Sequence, residues 1–429
     1  MEKTYCGACR GERGCPDCKK AARSADYTGI TEFKSEEASG KAVGLFEKSG
    51  HAGEKNDVQR ELLLAADIGT TTLAFVCADE KGRVLASYGC GNPQRKTAAD
   101  VIGRIDSAIR GERENLKNVI REALAGGFLF VLEKGMRMLR ETESTRDGIA
   151  VRIAMAGNTT MQHLLMGYPV DGMAGAPFIP YSVEGETVSF AALFSKTPVY
   201  EKFPSFVRQA EVTIFPCFSA FVGGDLVAGA YALFPGACTV GQTRFLLDLG
   251  TNGELLLFAD GKIYGTAAAM GSAFEGGRFA YASDLFRLIA EARKQGILDE
   301  TGLLDEPYFT EGFYGLRQED VREFQLAKGA LRAGIELLFS HAGRKFSDVD
   351  KVYIAGGVGR YCRSEDLFCT GLLPEEFAGK VEIVGNSCIG GMLSYLKNRE
   401  AMLYCKGEMI NLAEKPGFEE TYYQWMNFV

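Results

Sequence analysis

Histidine and tryptophan are scarce in this chain: 429 residues contain three histidines and one tryptophan. His51 and His341 carry no motif, and His163, on a predicted helix, reads as structural. A basic excess is also missing. Lys and Arg number 48 against 56 Asp and Glu, a formal charge of -8, which argues against nonspecific nucleic-acid binding. No apolar run is long enough to span a membrane. The first residues, MEKTYCGACRGERGCPDC, lack an apolar signal core, so the expected location is the cytoplasm. With 46% hydrophobic and 24% charged residues, the chain reads as a soluble globular protein of two or three domains.

Residues 1–23 hold four of the twelve cysteines, and residues 24–60 are polar and rich in Gly, Ser, Lys and Glu, like a tether. The pattern then changes. Leu62 to Ala66 is an apolar run that stops at Asp67, as a buried strand stops at a turn. Strands are expected over Thr72–Ala78 and Arg83–Tyr88, helices over Ala99–Ile109 and Leu116–Leu139, and a strand over Val151–Ala156 that runs into Gly157-Asn158-Thr159-Thr160-Met161 and a helix. The plan repeats. Phe245-Leu246-Leu247 leads to Asp248, strands follow over Glu254–Phe258 and Lys262–Ala268, and a helix over Arg317–Phe339 carries Val321, Phe324, Leu331, Ile335 and Leu338 on one stripe. Strands over Val352–Ala355 and Val381–Val384 and a helix over Ile389–Leu396 complete it. The expectation is an α/β protein with two similar lobes, residues 61–216 and 217–400. Gly167–Pro216 reads as an irregular insertion, and 401–429 as an appended tail or small packing element.

Asp67-Ile68-Gly69-Thr70-Thr71-Thr72 delivers an aspartate from a strand into a tight turn. Gly69 lets backbone approach a ligand, and the threonines add hydroxyls beside backbone N–H groups, which suits phosphate oxygens. The carboxylate would repel phosphate, so its role is to hold Mg²⁺ through water. A plain hairpin is the alternative for one copy. A second copy, Asp248-Leu249-Gly250-Thr251-Asn252-Gly253-Glu254, stands in the matching place of the repeat, and the pair suits a polyphosphate with its metal. Ile354-Ala355-Gly356-Gly357-Val358-Gly359 ends a strand in glycines that suit close contact with adenosine.

Cys6-x2-Cys9-x5-Cys15-x2-Cys18 offers four thiolates. Three of them have the C-x5-C-x2-C spacing of [2Fe-2S] loops, and Cys6 is the better fourth ligand because Cys77 falls in a predicted core strand. Gly7, Gly11 and Gly14 let the loop wrap a centre, and Arg10, Arg13, Lys19 and Lys20 offset its charge. Structural zinc also takes four cysteines, although zinc ribbons separate their pairs by about 15–20 residues. The other eight cysteines read as small buried hydrophobes, Cys362 and Cys369 lying in a more polar segment.

The order of the three glycine-bearing elements resembles the actin, sugar kinase and Hsp70 superfamily, over Leu62 to about Leu396. That resemblance implies two ribonuclease-H-like lobes with a nucleotide cleft between them. It makes Asp225, in Gly223-Gly224-Asp225-Leu226, a Mg²⁺-water ligand or the group that orients an attacking water; the alternative is an N-cap, and both could hold. A closer resemblance is to the reductive activators of corrinoid proteins. It rests on Gly157-Asn158-Thr159-Thr160-Met161 with His163-Leu164-Leu165, Pro177-Phe178-Ile179-Pro180, Asp248 to Glu254, Ala273-Phe274-Glu275-Gly276-Gly277, Gln325 to Ala330, and Val384-Gly385-Asn386. It implies use of ATP to drive Co(II) to Co(I) in a corrinoid protein of a methyltransferase system, with an N-terminal iron-sulfur donor fed by a reduced ferredoxin or flavodoxin.

The family's nucleotide region carries over to Asp67, Thr70, Asp248, Thr251 and Gly356-Gly357, with Glu275 lining the cleft or serving as a turn acid. The sequence departs from the family at Ser272, where proline is usual, over Phe279–Leu288, and at the N-terminus, which is too short for the usual plant-type ferredoxin domain. A kinase for a small metabolite and an Hsp70-like switch, each with a zinc knuckle, are the competing readings. The head gives the first prediction. Anaerobically purified, reconstituted protein should show iron-sulfur absorption that Cys9→Ser removes; a colourless protein with stoichiometric zinc would reject the electron-donor reading.

Overall fold

A computed structural model describes residues 60–142, 149–234, 241–250, 252–270, 282–305, 308–309, 315–398 and 407–428. The four cysteines of the head lie outside these residues, as do Thr251 and Glu275. Two compact units divide the chain, one up to Pro235 with Cys388–Met402, the other Gly236–Ser387 with Leu403–Val429.

In the first unit β1 (Arg60–Ile68), β2 (Thr72–Asp79), β3 (Val84–Gly91), β4 (Ile149–Gly157), β5 (Glu186–Ser189) and β6 (Glu211–Ile214) form one sheet in the order β3-β2-β1-β4-β6-β5. β1 pairs antiparallel with β2 and parallel with β4, as β4 does with β6. The apolar run of β1 is continuous because both faces of the strand are buried. Leu62, Leu64, Ala66 and Ile68 join one core with Leu73, Phe75, Ile153 and Met155. Leu63 and Ala65 join another with Ala74, Val76, Ala154 and Ala156.

The larger side chains lie under a long helix. α1 (Val101–Ser107) leads by a π-turn into α2 (Arg113–Thr142), whose Leu116, Ile120, Leu124, Phe128 and Leu132 are buried at helical spacing. Gly127 leaves room for the Phe75 ring, and Gly135 for Cys77 Sγ. After β4 comes α3 (Thr159–Met166). The smaller side chains of the opposite face admit α4 (Gly224–Leu233) and α8 (Ser387–Asn398); Ala228, Ile389, Met392, Leu393 and Leu396 complete that core.

The second unit repeats the plan. β7 (Thr243–Leu249), β8 (Gly253–Ala259), β9 (Lys262–Ala268), β12 (Lys351–Ala355), β13 (Val381–Gly385) and β14 (Gly407–Met409) run in the order β13-β12-β7-β8-β9-β14. β10 (Tyr308–Phe309) and β11 (Gly315–Leu316) form a separate pair. α5 (Ala282–Lys294) and α6 (Gln318–His341) share a core with Phe245, Leu247 and Leu249. The predicted stripe of α6 is fully buried. α7 (Gly356–Gly359) follows β12, and α9 (Phe418–Met426) packs along α6.

Strands β1-β2-β3-β4-β6 and β7-β8-β9-β12-β13 thus have one order and one set of senses, the expected duplication. Two expectations need correction. The units divide near 235, not 216, because α4 covers the small-residue face of the first sheet, to which α8 also returns. The stretch taken as an irregular insertion contains β6, an integral strand of that sheet. Of the two expectations for the tail, its described part answers to the packing element: β14 pairs with β9, and Phe428 is buried in the second core.

Two helical glycines separate packing from propensity. A Cβ on Gly391 would overlap the Ala228 backbone, whereas one on exposed Gly126 meets nothing within 4 Å. Chemical denaturation should therefore show Gly126→Ala stabilising by about 0.5–1 kcal/mol. Gly391→Ala should destabilise by about 1–3 kcal/mol, against its helix propensity.

Candidate functional site

The duplication extends to the ends of the central strands. Asp67 stands opposite Ala156 in the β1–β4 register, and Asp248 opposite Ala355 in the β7–β12 register. The next residue in each case is glycine. A Cβ on Gly157 would lie 2.5 Å from the Ile68 carbonyl, and one on Gly356 would overlap the Leu249 carbonyl. Ile68 and Leu249 are the second residues of the two Asp-x-Gly-Thr turns. Each turn is therefore seated on a neighbouring strand end that a side chain would push away.

In the first unit the turn is built from behind. A Cβ on Gly69 would stand 2.6 Å from the Thr72 carbonyl, so the bend requires glycine. Asn92 Nδ2 donates to the Gly69 carbonyl at 2.9 Å, Arg104 Nη2 to the Thr70 carbonyl at 2.7 Å, and the Asn92 N–H to the Thr71 carbonyl at 2.8 Å. These peptides are trans, so their N–H groups point to the opposite side from their carbonyls. The N–H groups of Thr70 and Thr71 thus face away from the residues that hold the turn.

Thr70 is buried, and its Oγ1 accepts from Asn158 Nδ2 at 2.8 Å. The same Asn158 caps α3, its Oδ1 accepting from the Met161 N–H at 3.0 Å. One side chain thereby links the turn to a helix start. Gly223 packs so closely on Asn158 and Thr159 that a Cβ would overlap both, and Thr159 Oγ1 donates to the Ser219 carbonyl at 2.5 Å. The helix carrying Asp225 begins there. Gly223 is its N-cap, so the capping alternative for Asp225 is corrected: Asp225 lies in the first turn, its Oδ1 accepting from the Leu226 N–H at 2.9 Å.

Thr72 is the first residue of β2, opposite Gly91. Asp67 and Thr71 are half-buried. His163 is buried, with Nδ1 2.7 Å from the Thr159 carbonyl and Nε2 accepting from Ser182 N–H at 3.4 Å; burial lowers its pKa. Its bonds are those of a structural histidine.

The second turn is built differently. Gly250 N–H donates to the Asn252 carbonyl at 3.0 Å, and a Cβ on Gly250 would meet only ordinary contacts. Asn252 is half-buried, and the missing side chain of Gly253 makes room for Leu331 of α6. Chemistry gathers instead on Asp248. Gly356, at φ +86°, leaves room for its carboxylate, and Ser387 Oγ donates to its Oδ2 at 3.4 Å. A Cβ on Gly357 would have no neighbour within 4 Å. Asp248, Gly356, Gly357 and Ser387 thus converge at one end of the second sheet.

Asn92, Gln94 and Arg104 were not anticipated from sequence. The signal was present: Asn92-Pro93 marks a turn, and Arg104 sits on the inward face of α1 with Ile105, one turn before buried Ala108. Six cysteines are described, none of them in a disulfide. Cys77, Cys217, Cys362 and Cys388 are buried as expected, whereas Cys90 and Cys369 are half-buried. Burial pushes the thiols of Cys77, Cys217 and Cys362 up to about 12, which makes them inert. Cys238 and Cys405 lie outside the described residues.

Residues 62–234 match the family model of the RACo middle region, and residues 242–284 and 310–429 that of the C-terminal domain of RACo, the ASKHA domain. The corrinoid activation enzyme RamQ of Eubacterium limosum is 27% identical over 429 aligned residues, covering 84% of this chain and 69% of RamQ. A solved reductive activator for corrinoid, iron-sulfur protein superposes with a TM-score of 0.68 at 24% identity, covering 87% of this chain and 67% of that one. The likeness to that structure is one of fold.

The two neighbouring glycines of the second site should respond differently. Gly356→Ala places a Cβ at positive φ against Asp248 and should cost about 1–2 kcal/mol or more in denaturant unfolding. Gly357→Ala, with open space around it, should stay within about 0.5 kcal/mol of wild type.

Proposed function

The chain belongs to the RACo family, carrying its middle region and its C-terminal ASKHA domain, and on that premise we propose that it is a cytoplasmic, ATP-dependent reductive activator of a corrinoid protein. The observation that carries the reading is the coincidence of this family match with an Asp-x-Gly-Thr turn at the end of each central strand.

The residues fit a nucleotide. In the first unit the Thr70 and Thr71 N–H groups would suit phosphate oxygens, and in the second the open backbone at Gly357 would suit adenosine. Among the described residues no three of His, Cys, Asp or Glu converge as metal ligands. Mg²⁺ held with a nucleotide needs only one or two carboxylates beside phosphate and water, and Asp67, Asp225 and Asp248 are the candidates. Gly69, Thr70, Thr71, Gly250, Thr251 and Asn252 would form the phosphate contacts. Thr72 and Gly253 would shape the turns, and Glu275 would line the site.

Cys6, Cys9, Cys15 and Cys18 would hold an iron-sulfur centre, which supplies single electrons when present. The arginines and lysines around them would stabilise its negative charge. The reaction is a one-electron reduction of the partner's Co(II) corrinoid to Co(I), the electron coming from a reduced ferredoxin or flavodoxin. That reduction is uphill for ordinary donors, and ATP binding and hydrolysis give it a source of free energy if the ATP and ADP states have different affinities for the partner.

The test is the absorption spectrum of a corrinoid protein mixed with this chain, a reduced donor and ATP. Co(I) should appear only with ATP. Asp67→Ala or Asp248→Ala should slow its formation by about 100-fold or more. Cys9→Ser should spare ATP binding and stop electron transfer. ADP formation that requires a small metabolite, with no Co(I), would replace this reading by a kinase.

A further inference from the structure

Arg104 is fully buried, and every hydrogen bond it donates ends on a neutral acceptor. Nε reaches the Ala98 carbonyl at 3.1 Å, and Nη1 reaches Gln94 Oε1 at 3.3 Å and Met161 Sδ at 3.0 Å. Nη2 reaches the Thr70 carbonyl at 2.7 Å and the Ala99 carbonyl at 3.5 Å. No ion pair to a carboxylate accompanies these bonds among the described residues. The charged groups it feels are Arg95, on the Pro93–Lys96 turn, and Asp100, whose carboxylate caps α1. Burial, then Arg95, lower its pKa to about 10, which leaves it cationic at neutral pH.

Packing does not explain such a group. An apolar side chain of similar length would fill the space without the cost of desolvating a charge. What the cation does have is a place. The Thr70 carbonyl it holds belongs to the same peptide as the Thr71 N–H on the far side. A bond donated to a carbonyl polarises the amide and strengthens its N–H as a donor, and Asn92 does the same through the Gly69 carbonyl for the Thr70 N–H. In a buried setting the charge itself is weakly screened.

We propose that Arg104 is the positioning residue of the first phosphate turn: it fixes the Thr70–Thr71 peptide with its N–H outward and supplies, from behind, the positive charge that favours a polyphosphate there. The proposal rests on the nucleotide-binding reading. It assigns Arg104 no contact with the ligand. Gln94, which accepts from Arg104 and donates from Nε2 to the Leu116 carbonyl at 3.0 Å, holds the guanidinium in place.

The second unit supplies a guide for the test. Lys328, also fully buried and bonded to a carbonyl, has its pKa pushed down to about 7 by burial and by its neighbours Arg332 and Arg293. A lysine at position 104 should likewise keep its charge only on the acid side of neutrality. The lysine variant therefore separates charge from shape.

Titration calorimetry with Mg-ATP and with adenosine, from about pH 6 to about pH 9, makes the comparison. Arg104→Met should bind ATP about tenfold or more weakly than wild type, with adenosine affinity unchanged. Arg104→Lys should bind ATP nearly as wild type at about pH 6 and fall toward the methionine variant by about pH 9, relative to wild type at each pH. An Arg104→Met variant that binds ATP as wild type does, or an Arg104→Lys profile parallel to wild type, overturns the proposal. If the methionine variant does not fold, judged by circular dichroism, the lysine profile alone decides. A wild-type chain that binds no ATP removes the nucleotide reading itself, a result distinct from unchanged affinity in the variants.

Discussion

A trans peptide cannot point its carbonyl and its N–H to the same side, and the first turn is organised around that constraint. Three successive carbonyls, those of Gly69, Thr70 and Thr71, are held by Asn92 and Arg104. The direction of the N–H groups follows. Asn158 then fixes Thr70 from the side while capping α3, so the turn and the helix start form one hydrogen-bonded piece. The motif Gly157-Asn158-Thr159-Thr160-Met161 gains a physical reading position by position. Gly157 admits the Ile68 carbonyl, Asn158 bridges, Thr159 bonds Ser219, and Met161 Sδ accepts from the buried guanidinium.

The two turns share letters and diverge in use. The second spends its Gly250 N–H on Asn252, an internal bond with no counterpart holding the first turn from outside. What the units do share is the seat: a glycine after the opposing alanine, pressed against the carbonyl of the turn's second residue. Gly356 adds a positive φ, which turns the chain into α7 at once. Asp-x-Gly-Thr in this protein is therefore a backbone frame first. Its donors are set by what packs behind it, and among the described residues a cation bonds only the first copy.

This explains what was legible in the sequence. Apolar runs buried on both faces announce themselves, and β1, β2, β4, β7, β8, β12 and α6 were all readable within a few residues. Asp67 and Asp248 were readable because each ends such a run. β6 was not, since four residues beside an edge strand, Glu211-Val212-Thr213-Ile214, carry too short an alternation to stand out among loops. Nor was the return of α8 to the first unit. Its partner face is defined by smallness, Ala154, Ala156 and Ala228 against Gly391, and small residues have no periodic signature of their own. Arg104 and Asn92 escaped for a third reason: their role exists only through a turn tens of residues away.

The stretch Gln325 to Ala330 shows the converse, residues that carried a sequence resemblance without reading as a site. Gln325 Nε2 donates to the Met426 carbonyl at 3.0 Å, and Lys328 Nζ to the Asn427 carbonyl at 2.6 Å. The backbone of Tyr422 crosses where Gly329 has no side chain. Arg293 Nη2 takes the Phe428 carbonyl at 2.9 Å, and the Phe428 ring stacks on Phe324. Buried Lys328 and half-buried Arg293 are thus stabilised by carbonyl oxygens and an aromatic face, as Arg104 is by carbonyls and a thioether. The choice of residue follows the need for charge. Lysine can sit where a carbonyl wants a donor and a lowered pKa does no harm, as at Lys328. Where a cation must persist in the core at neutral pH, only arginine keeps its proton, and that is the residue behind Thr70.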